Sequence, residues 1–231
     1  MKDLSKGAEN LATHPARMIN VGSSGNPEGA ISEAAEILLS GGLVAYPTES
    51  FYGLAADAAN ETAVKRLFLA KKRSPGNPVL LLIPNVEVLD KYIHDTPPAA
   101  RKLIEKFWPG GLTLVFDAGP KILPLLTAGT GKIGIRLSSH PVATALAQAI
   151  GAPITGTSAN ISGNPPCSSA GEVRRSLGGG VDLILDGGKT KGGVGSTVLD
   201  VTVDPPRILR QGMVSQDEIM ANIRICHPET G

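Results

Sequence analysis

Short apolar runs bounded by glycine or proline recur along the chain, and segments with helical spacing of apolar residues lie between them. Runs of this length rich in Val, Ile and Leu predict β-strands, whereas apolar residues three or four apart predict helices. Alternation of the two favours a mixed α/β protein. The predicted strands cover residues 43–46, 79–83, 112–116, 133–137, 153–157, 183–185, 197–201 and 207–209.

The predicted helices fill the intervals between these strands. Two should start at Ser169 and Ser215, because Glu172 and Glu218 follow them at the capping-box spacing. The other helices cover residues 31–39, 63–72, 86–92, 99–107 and 142–150. Only 3% of the residues are aromatic, while 28 are glycine and 18 proline, so small aliphatic side chains must fill the core between tight turns. We expect a twisted mixed sheet with flanking helices.

The chain is expected to form a single domain. Its 231 residues are near the upper limit for one compact unit, and no internal repeat or long linker divides them. Residues 1–22 lack apolar periodicity and are predicted to be a flexible N-terminal arm. The domain should cover residues 23–225, followed by a C-terminal tail over residues 226–231.

Charge, cysteine content and hydropathy argue against several classes of protein. The formal charge of +1, from 22 basic and 21 acidic residues, creates no overall field that would attract nucleic acid or a membrane. Cys167 and Cys226 lack the spacing of a zinc site or a disulfide framework. No apolar run reaches the roughly 20 residues that span a bilayer, and the N-terminus lacks a signal-peptide core. A cytoplasmic protein without a membrane partner is expected.

Basic residues are concentrated in residues 62–86, which contain no acidic residue. The cations there are Lys65, Arg66, Lys71, Lys72 and Arg73. Lys71 and Arg73 stand at the predicted end of a helix, where Ser74-Pro75 forces the chain out, so both could reach one anion. Cations at a helix C-terminus also complement the helix dipole, and position alone does not decide between these interpretations.

Ser158-Ala159-Asn160 directly follows a predicted apolar strand. Open α/β sheets commonly bind ligands at the carboxyl ends of strands, so this segment is either a ligand site or an ordinary polar turn. Two glycine-rich segments are not nucleotide motifs. Residues 187–190 resemble a P-loop but have Leu183 where its first glycine is required, and residues 129–134 precede a predicted strand instead of a helix.

Ordered motifs over residues 31–220 resemble the YrdC family of threonylcarbamoyl-AMP synthases. The longest is Gly-Gly-Leu-Val-Ala-Tyr-Pro-Thr-Glu-Ser-Phe-Tyr-Gly-Leu at residues 41–54. The others, in the family's order, lie at residues 71–73 (KxR), 108–110, 135–137, 157–160, 196–198 and 209–212. The resemblance is to the short, single-domain type and implies a twisted α/β sheet whose concave surface holds a nucleotide.

The resemblance also implies an activity. Members make threonylcarbamoyl-AMP and pyrophosphate from L-threonine, bicarbonate or CO2, and ATP with Mg2+, which would need no dedicated protein ligands. The product would pass to a separate tRNA threonylcarbamoyl transferase that modifies adenosine 37, and weak contact with tRNA is part of the expectation. Two alternatives stay open: a double-stranded RNA or tRNA-binding module using the basic segment, and carbamoyl-phosphate-dependent carbamoyl adenylation.

Site residues carry over position by position. Lys71 and Arg73 are implied to contact the phosphates as the catalytic pair, with Arg210 as a third cation. The ATP site would further include Asn77, Ser158 and Asn160. The threonine site would consist of Thr48, Ser50, Arg136 and Ser196, with Arg136 pairing with the carboxylate. Ser50 stands where many relatives have threonine, and Leu82 where some longer relatives have a histidine near the amino acid.

Overall fold

The computed structural model describes residues 16–22 and 25–224. Its strands are β1 (Arg17–Asn20), β2 (Val44–Pro47), β3 (Tyr52–Ala55), β4 (Leu81–Leu82), β5 (Leu112–Asp117), β6 (Lys132–Arg136), β7 (Ile154–Thr155), β8 (Thr157–Ser158), β9 (Leu183–Asp186), β10 (Thr197–Asp200) and β11 (Arg207–Arg210). Its α-helices are α1 (Pro27–Leu39), α2 (Glu61–Ala70), α3 (Pro98–Phe107), α4 (Pro124–Thr127), α5 (Pro141–Ile150), α6 (Ala170–Leu177) and α7 (Gln216–Met220). Short 3-10 helices cover Val86–Lys91 and Gly178–Gly180.

The predicted α/β class is confirmed, but the strands form two mixed sheets instead of one. The five-stranded sheet has the order β1-β9-β2-β3-β8, and the six-stranded sheet has the order β11-β10-β5-β6-β4-β7. Each sheet contains both parallel and antiparallel pairs: β2 is parallel to β9 and antiparallel to β3, and β5 is parallel to β10 and antiparallel to β6. Apolar residues from both sheets share one core, in which Leu54, Leu114 and Ile135 are fully buried.

The chain passes from one sheet to the other at Gly156. We predicted one strand over residues 153–157, but β7 pairs with β4 in the six-stranded sheet and β8 pairs with β3 in the five-stranded sheet. A Cβ atom on Gly156 would overlap Leu80 Cδ1 and lie 3.1 Å from Leu82 Cγ, so a residue with a side chain here would force these leucine side chains to move. The sequence correctly predicted extended structure here, but it did not predict the division into two strands.

Other elements also depart from the sequence predictions, among them α4 and the 3-10 helix Gly178–Gly180, which were not predicted. β3 was missed because Gly53 interrupts a short strand, although all four of its residues are buried. The glycine is needed there because a Cβ atom would lie 2.6 Å from Cζ of Tyr46, which packs over it. The segment predicted as a helix over residues 86–92 is the 3-10 helix Val86–Lys91.

The predicted arm over residues 1–22 is wrong for part of its length. Arg17–Asn20 form β1, which pairs in parallel with β9. Three of its four side chains are exposed, so the strand is held by backbone hydrogen bonds and carries no apolar periodicity that could have revealed it. Residues 1–15 of the predicted arm and the predicted tail over residues 226–231 lie outside the described residues.

Helix starts follow the capping residues. Ser215 and Glu218 form the full capping box predicted for α7. At α6 only half of the box forms, because Ser169 caps the helix while the Glu172 carboxylate accepts hydrogen bonds from Ser168.

Within the stretches that the structure describes, none of the helices combines the length and the apolar character needed to cross a membrane.

Gly212 brings the chain after β11 against the segment that precedes β10. A Cβ atom on Gly212 would overlap the carbonyl oxygen of Gly195 and lie 2.5 Å from that of Ser196. These neighbours are backbone atoms, which cannot rotate away as the end of a side chain can. Met213 N also donates to Gly195 O at 2.9 Å, so the two segments are joined where they cross.

We expect Gly212→Ala to lower the free energy of unfolding by about 2 kcal/mol or more, because the added methyl group must push backbone apart. Gly171→Ala is the matched control, since its Cβ atom would meet only Arg175 Nη1, at 3.6 Å, on helix α6. That control should be neutral or more stable by up to about 1 kcal/mol. Urea unfolding measures both, and equal stability of the two variants would contradict the close approach at Gly212.

Candidate functional site

A cleft of about 580 Å³ is lined by residues of both sheets. Its polar lining includes seven of the residues named from the sequence: Thr48, Ser50, Arg73, Arg136, Ser158, Ser196 and Arg210. Tyr46 and Tyr52 of the five-stranded sheet and Val115 and Val198 of the six-stranded sheet add apolar surface. The volume is in the range of small-molecule sites. Lys71, Asn77 and Asn160, also named from the sequence, are not part of this lining.

Arg73 reaches the cleft because the chain turns sharply at the end of α2. Lys72 adopts a left-handed conformation with φ of 48°, and Arg73 N donates to Phe68 O at 2.8 Å. The half-buried guanidinium donates to the carbonyl oxygens of Asn77 at 3.2 Å and Pro78 at 2.7 Å. Burial lowers the pKa of Arg73, but an arginine stays protonated throughout the physiological range. The cleft therefore has a cation here.

Lys71 does not line the cleft and is only 1% exposed. Its ammonium donates to the carbonyl oxygens of Ser158 and Asn160, the latter at 2.7 Å. Its own carbonyl oxygen accepts from Ser162 N at 2.8 Å. Burial, followed by repulsion from Arg73, lowers the pKa of Lys71 to about 8. The side chain thus ties the end of α2 to the segment that follows β8.

Ser158 and Asn160 have different surroundings, although they belong to one motif. Ser158 lines the cleft, whereas Asn160 is buried and its Nδ2 donates to the carbonyl oxygens of Ile161 and Asn164 at 2.9 and 2.7 Å. Within the described residues, Asn160 Oδ1 has no hydrogen-bond partner. Asn77 is exposed and contributes its backbone carbonyl to Arg73.

A second cation, Arg210, lies at the end of β11 beside a pair of hydroxyl groups. Its Nη2 donates to Ser196 O at 2.9 Å and to Ser196 Oγ at 3.2 Å. The Ser196 hydroxyl also shares a hydrogen bond of 2.8 Å with Thr113 Oγ1, and both residues are buried. Thr113 was not named from the sequence, because a lone threonine inside a predicted strand carries no signal of a site.

Arg136 forms a buried ion pair with Glu49. Its side chain is only 7% exposed, and its Nη1 donates to Glu49 Oε1. The other carboxylate oxygen, Oε2, accepts from Ser138 Oγ at 2.7 Å. Burial lowers the pKa of Arg136 to about 10 and is the largest cause of the shift. Repulsion by the nearby charge of Arg210 also lowers this pKa. The sequence named Arg136 but neither Glu49 nor Ser138.

The remaining polar residues line the cleft at the turn between β2 and β3. Thr48 Oγ1 donates to Phe51 O at 2.6 Å and accepts from Ser50 N at 3.3 Å, which fixes the turn. Leu82, at the position where some longer relatives have a histidine, is buried in β4. The described part of the chain contains no group of three or more His, Cys, Asp or Glu that could hold a metal ion.

Lys132 is a further cation of the cleft that sequence reasoning missed. Its Nζ donates to Asp200 Oδ2 at 2.9 Å, and Asp200 is 2% exposed and also accepts from Thr202 Oγ1 at 2.6 Å. The partners are 68 residues apart in the chain, so only the pairing of β5 with both β6 and β10 brings them together. Its charge is already neutralised, unlike those of Arg73 and Arg210.

Known proteins resemble the chain over most of its length. The model of the Sua5/YciO/YrdC family, described as telomere recombination, matches residues 36–212. The threonylcarbamoyl-AMP synthase of Bacillus subtilis (strain 168) is 41% identical over 202 residues, which are 87% of this chain and 58% of the relative. The threonylcarbamoyl-AMP synthase of Shigella boydii serotype 4 (strain Sb227) is 39% identical over 165 residues, 71% of this chain and 86% of the relative.

A solved structure shows the same fold. The crystal structure of Pyrococcus abyssi Sua5 complexed with L-threonine superposes with a TM-score of 0.86 at 40% identity, covering 90% of this chain and 62% of that chain. This chain therefore spans less than two thirds of the length of the B. subtilis and P. abyssi proteins, whereas it spans most of the S. boydii protein.

The lowered pKa of Lys71 predicts a specific dependence of stability on pH. Since its folded pKa of about 8 lies below the ordinary value of 10.5, the unfolded chain binds the proton more tightly between these values. The contribution of Lys71 to the free energy of unfolding should therefore rise with pH across this window and be lost as the pH falls through 8. Relative to Lys71→Met, the rise should be roughly 3 kcal/mol at most.

Urea unfolding from about pH 7 to about pH 10 measures this difference. Lys72→Met is the matched control, because Lys72 is the exposed neighbour and its removal should leave the pH dependence of the wild type unchanged. Parallel pH profiles for wild type and Lys71→Met would contradict the buried environment of the ammonium.

Proposed function

The chain belongs to the Sua5/YciO/YrdC family, and on that premise we propose that it makes threonylcarbamoyl-AMP and pyrophosphate from L-threonine, bicarbonate or CO2, and ATP. The observation that carries the proposal is the cleft, where Arg73, Arg136 and Arg210 face one space together with serine and threonine hydroxyl groups. The choice of reaction is based on the names of the relatives, and the cleft contains side chains that suit that reaction.

The chemistry asks for charge neutralisation and alignment more than for a protein nucleophile. The threonine amine first combines with bicarbonate to give a carbamate and water. A carbamate oxygen then attacks the α-phosphorus of ATP, and the bond from that phosphorus to the bridging oxygen breaks as pyrophosphate leaves. Two anions must meet for this step, so cations fixed in the cleft lower its barrier.

Arg73 and Arg210 are assigned to the phosphates. Guanidinium groups donate paired hydrogen bonds that fit phosphate oxygens, and both side chains lie at the cleft without a carboxylate partner among the described residues. The Ser158 hydroxyl lies at the same cleft and can bond the nucleotide. Lys71 serves this site by holding the carbonyl oxygens of Ser158 and Asn160, so its part in the proposal is to position the segment.

Four other residues of the cleft are assigned to the amino acid. Arg136 would pair with the threonine carboxylate, and Thr48, Ser50 and Ser196 offer hydroxyl groups at the same cleft. The solved relative named above was crystallised with L-threonine. Asn77 and Asn160 remain predicted nucleotide contacts, and Asn160 would have to give up the hydrogen bonds that its Nδ2 makes to Ile161 O and Asn164 O.

Mg2+ enters the proposal as part of the ATP substrate. The cleft presents cations and hydroxyl groups, so the ion would be carried by phosphate oxygens and water. We further propose that the reaction takes place in the cytoplasm and that a separate transferase moves the product to tRNA. Weak contact with tRNA belongs to the same proposal.

We expect Arg73→Ala to lower pyrophosphate release by roughly 100-fold or more, because a fixed cation next to the developing charge is lost. The fold should survive, since the guanidinium bonds only to backbone carbonyl oxygens at the surface of the cleft. Lys72→Ala, which removes the exposed neighbouring cation, is the matched control and should retain activity. Equal activity of the two variants would refute the role of Arg73.

The reaction itself is tested with purified protein, ATP, Mg2+ and labelled bicarbonate, with and without threonine. We expect pyrophosphate release and label in an adenylate, both dependent on threonine. Release that instead follows carbamoyl phosphate would indicate the carbamoyl-transfer alternative. Salt-sensitive RNA binding that ATP leaves unchanged, without any release, would indicate the RNA-binding alternative.

A further inference from the structure

The Arg136 guanidinium has incomplete hydrogen bonding despite its burial. Among the described residues, three buried side-chain atoms have no hydrogen-bond partner, and Arg136 Nε is the one that belongs to a charged group. The side chain is 93% buried and lines the cleft. A buried donor normally has a partner, and because Arg136 belongs to the lining of the cleft, a ligand bound there can supply the acceptor that Nε lacks.

The geometry distinguishes the two sides of this guanidinium. Both of its hydrogen bonds in the described structure come from Nη1, to Glu49 Oε1 and, at 3.4 Å, to Gly110 O. Because Nη1 carries two protons, it has no further donor. The Nε–H bond and one N–H bond of Nη2 run parallel on the opposite edge, which is the fork that binds a carboxylate through both oxygens.

Glu49 is itself held at several points. Its second oxygen accepts from Ser138 Oγ at 2.7 Å, and its neighbours Thr48 and Ser50 are joined by the hydrogen bonds of the turn. Ser138 is 2% exposed. The carboxylate is therefore anchored on two sides, and through it the orientation of the guanidinium is set by both the β2–β3 turn and the segment after β6.

The charges indicate which anion suits the open edge. Glu49 neutralises Arg136, so the pair offers directed N–H donors without a net charge. Arg73 and Arg210, by contrast, have no carboxylate partner among the described residues and suit the highly charged triphosphate. A planar monoanion such as an amino-acid carboxylate matches the neutralised fork better than a polyphosphate does.

We propose that Glu49 is a positioning residue that fixes Nη1 of Arg136 and thereby presents the Nε and Nη2 edge to the carboxylate of the amino-acid substrate. The inference rests on the proposed function, since it takes that carboxylate as the ligand. The inference adds Glu49 to the proposed site as a residue that touches no substrate.

Two substitutions separate placement from charge. Glu49→Asp keeps the charge but is one methylene shorter, so it cannot reach both Arg136 and Ser138 from the same backbone. Glu49→Gln keeps the length and an acceptor oxygen but removes the charge. If Glu49 acts by placement, Glu49→Asp should raise KM for threonine by about tenfold, because a shift of about 1 Å weakens a bidentate contact strongly. Glu49→Gln should have the smaller effect.

Controls exclude general damage. KM for ATP should stay within about twofold in both variants, which would show that the cleft is still folded. Glu61→Asp, on the surface ion pair with Lys65, should change neither constant. L-threoninamide lacks the carboxylate, so its weak binding should be equal in wild type and Glu49→Asp.

Other outcomes overturn the inference. A larger effect of Glu49→Gln would show that charge matters and placement does not. Equal increases in KM for ATP and for threonine would mean that Arg136 takes a phosphate. If the wild type releases no pyrophosphate, the proposed function fails. Equilibrium dialysis of labelled L-threonine then tests the role of Glu49 separately. Weaker threonine binding by Glu49→Asp than by Glu49→Gln and the wild type supports that role, and absence of wild-type binding overturns it.

Discussion

The cleft depends on the crossing of the chain at Gly156. One residue separates β7 from β8, and these strands belong to different sheets. Gly156 N also donates to Leu80 O at 2.8 Å, so the backbone is fixed where it passes from one sheet to the other. Residues from both sheets therefore face a common space, and polar groups separated widely in sequence meet there. A side chain at residue 156 would have to displace the side chains of Leu80 and Leu82 at this junction.

The charged side chains in and around this cleft are partnered in two different ways. Lys71 donates to two backbone carbonyl oxygens, so it holds the segment after β8 without neutralising an acid. Arg136 is neutralised by Glu49, and Lys132 by Asp200. Taking such groups out of water is unfavourable unless every one has a close partner. The pairing leaves Arg73 and Arg210 as the cations whose charge is available to a ligand among the described residues of the cleft.

Sequence patterns predicted much of this structure, and their failures have identifiable causes. β5 and β6 were placed within one residue, because five consecutive residues of β5 are buried and Ile133 and Ile135 of β6 alternate with less buried residues. The division at Gly156 left no trace, because the apolar run continues through it. At the site, motif positions named Arg136, but its partner Glu49 lies 87 residues away and pairs with it only after both sheets have formed. The burial of Lys71 could not be foreseen from its place among other cations.

That burial has a consequence for how the sequence can diverge. Two carbonyl oxygens, of Ser158 and Asn160, converge on the single nitrogen of Lys71, which is a tetrahedral donor on a flexible stem. Arginine would bring a flat group with its donors spread apart into the same closed space. Positions 71 and 73 therefore tolerate different replacements, although a substitution table treats them as the same kind of cation.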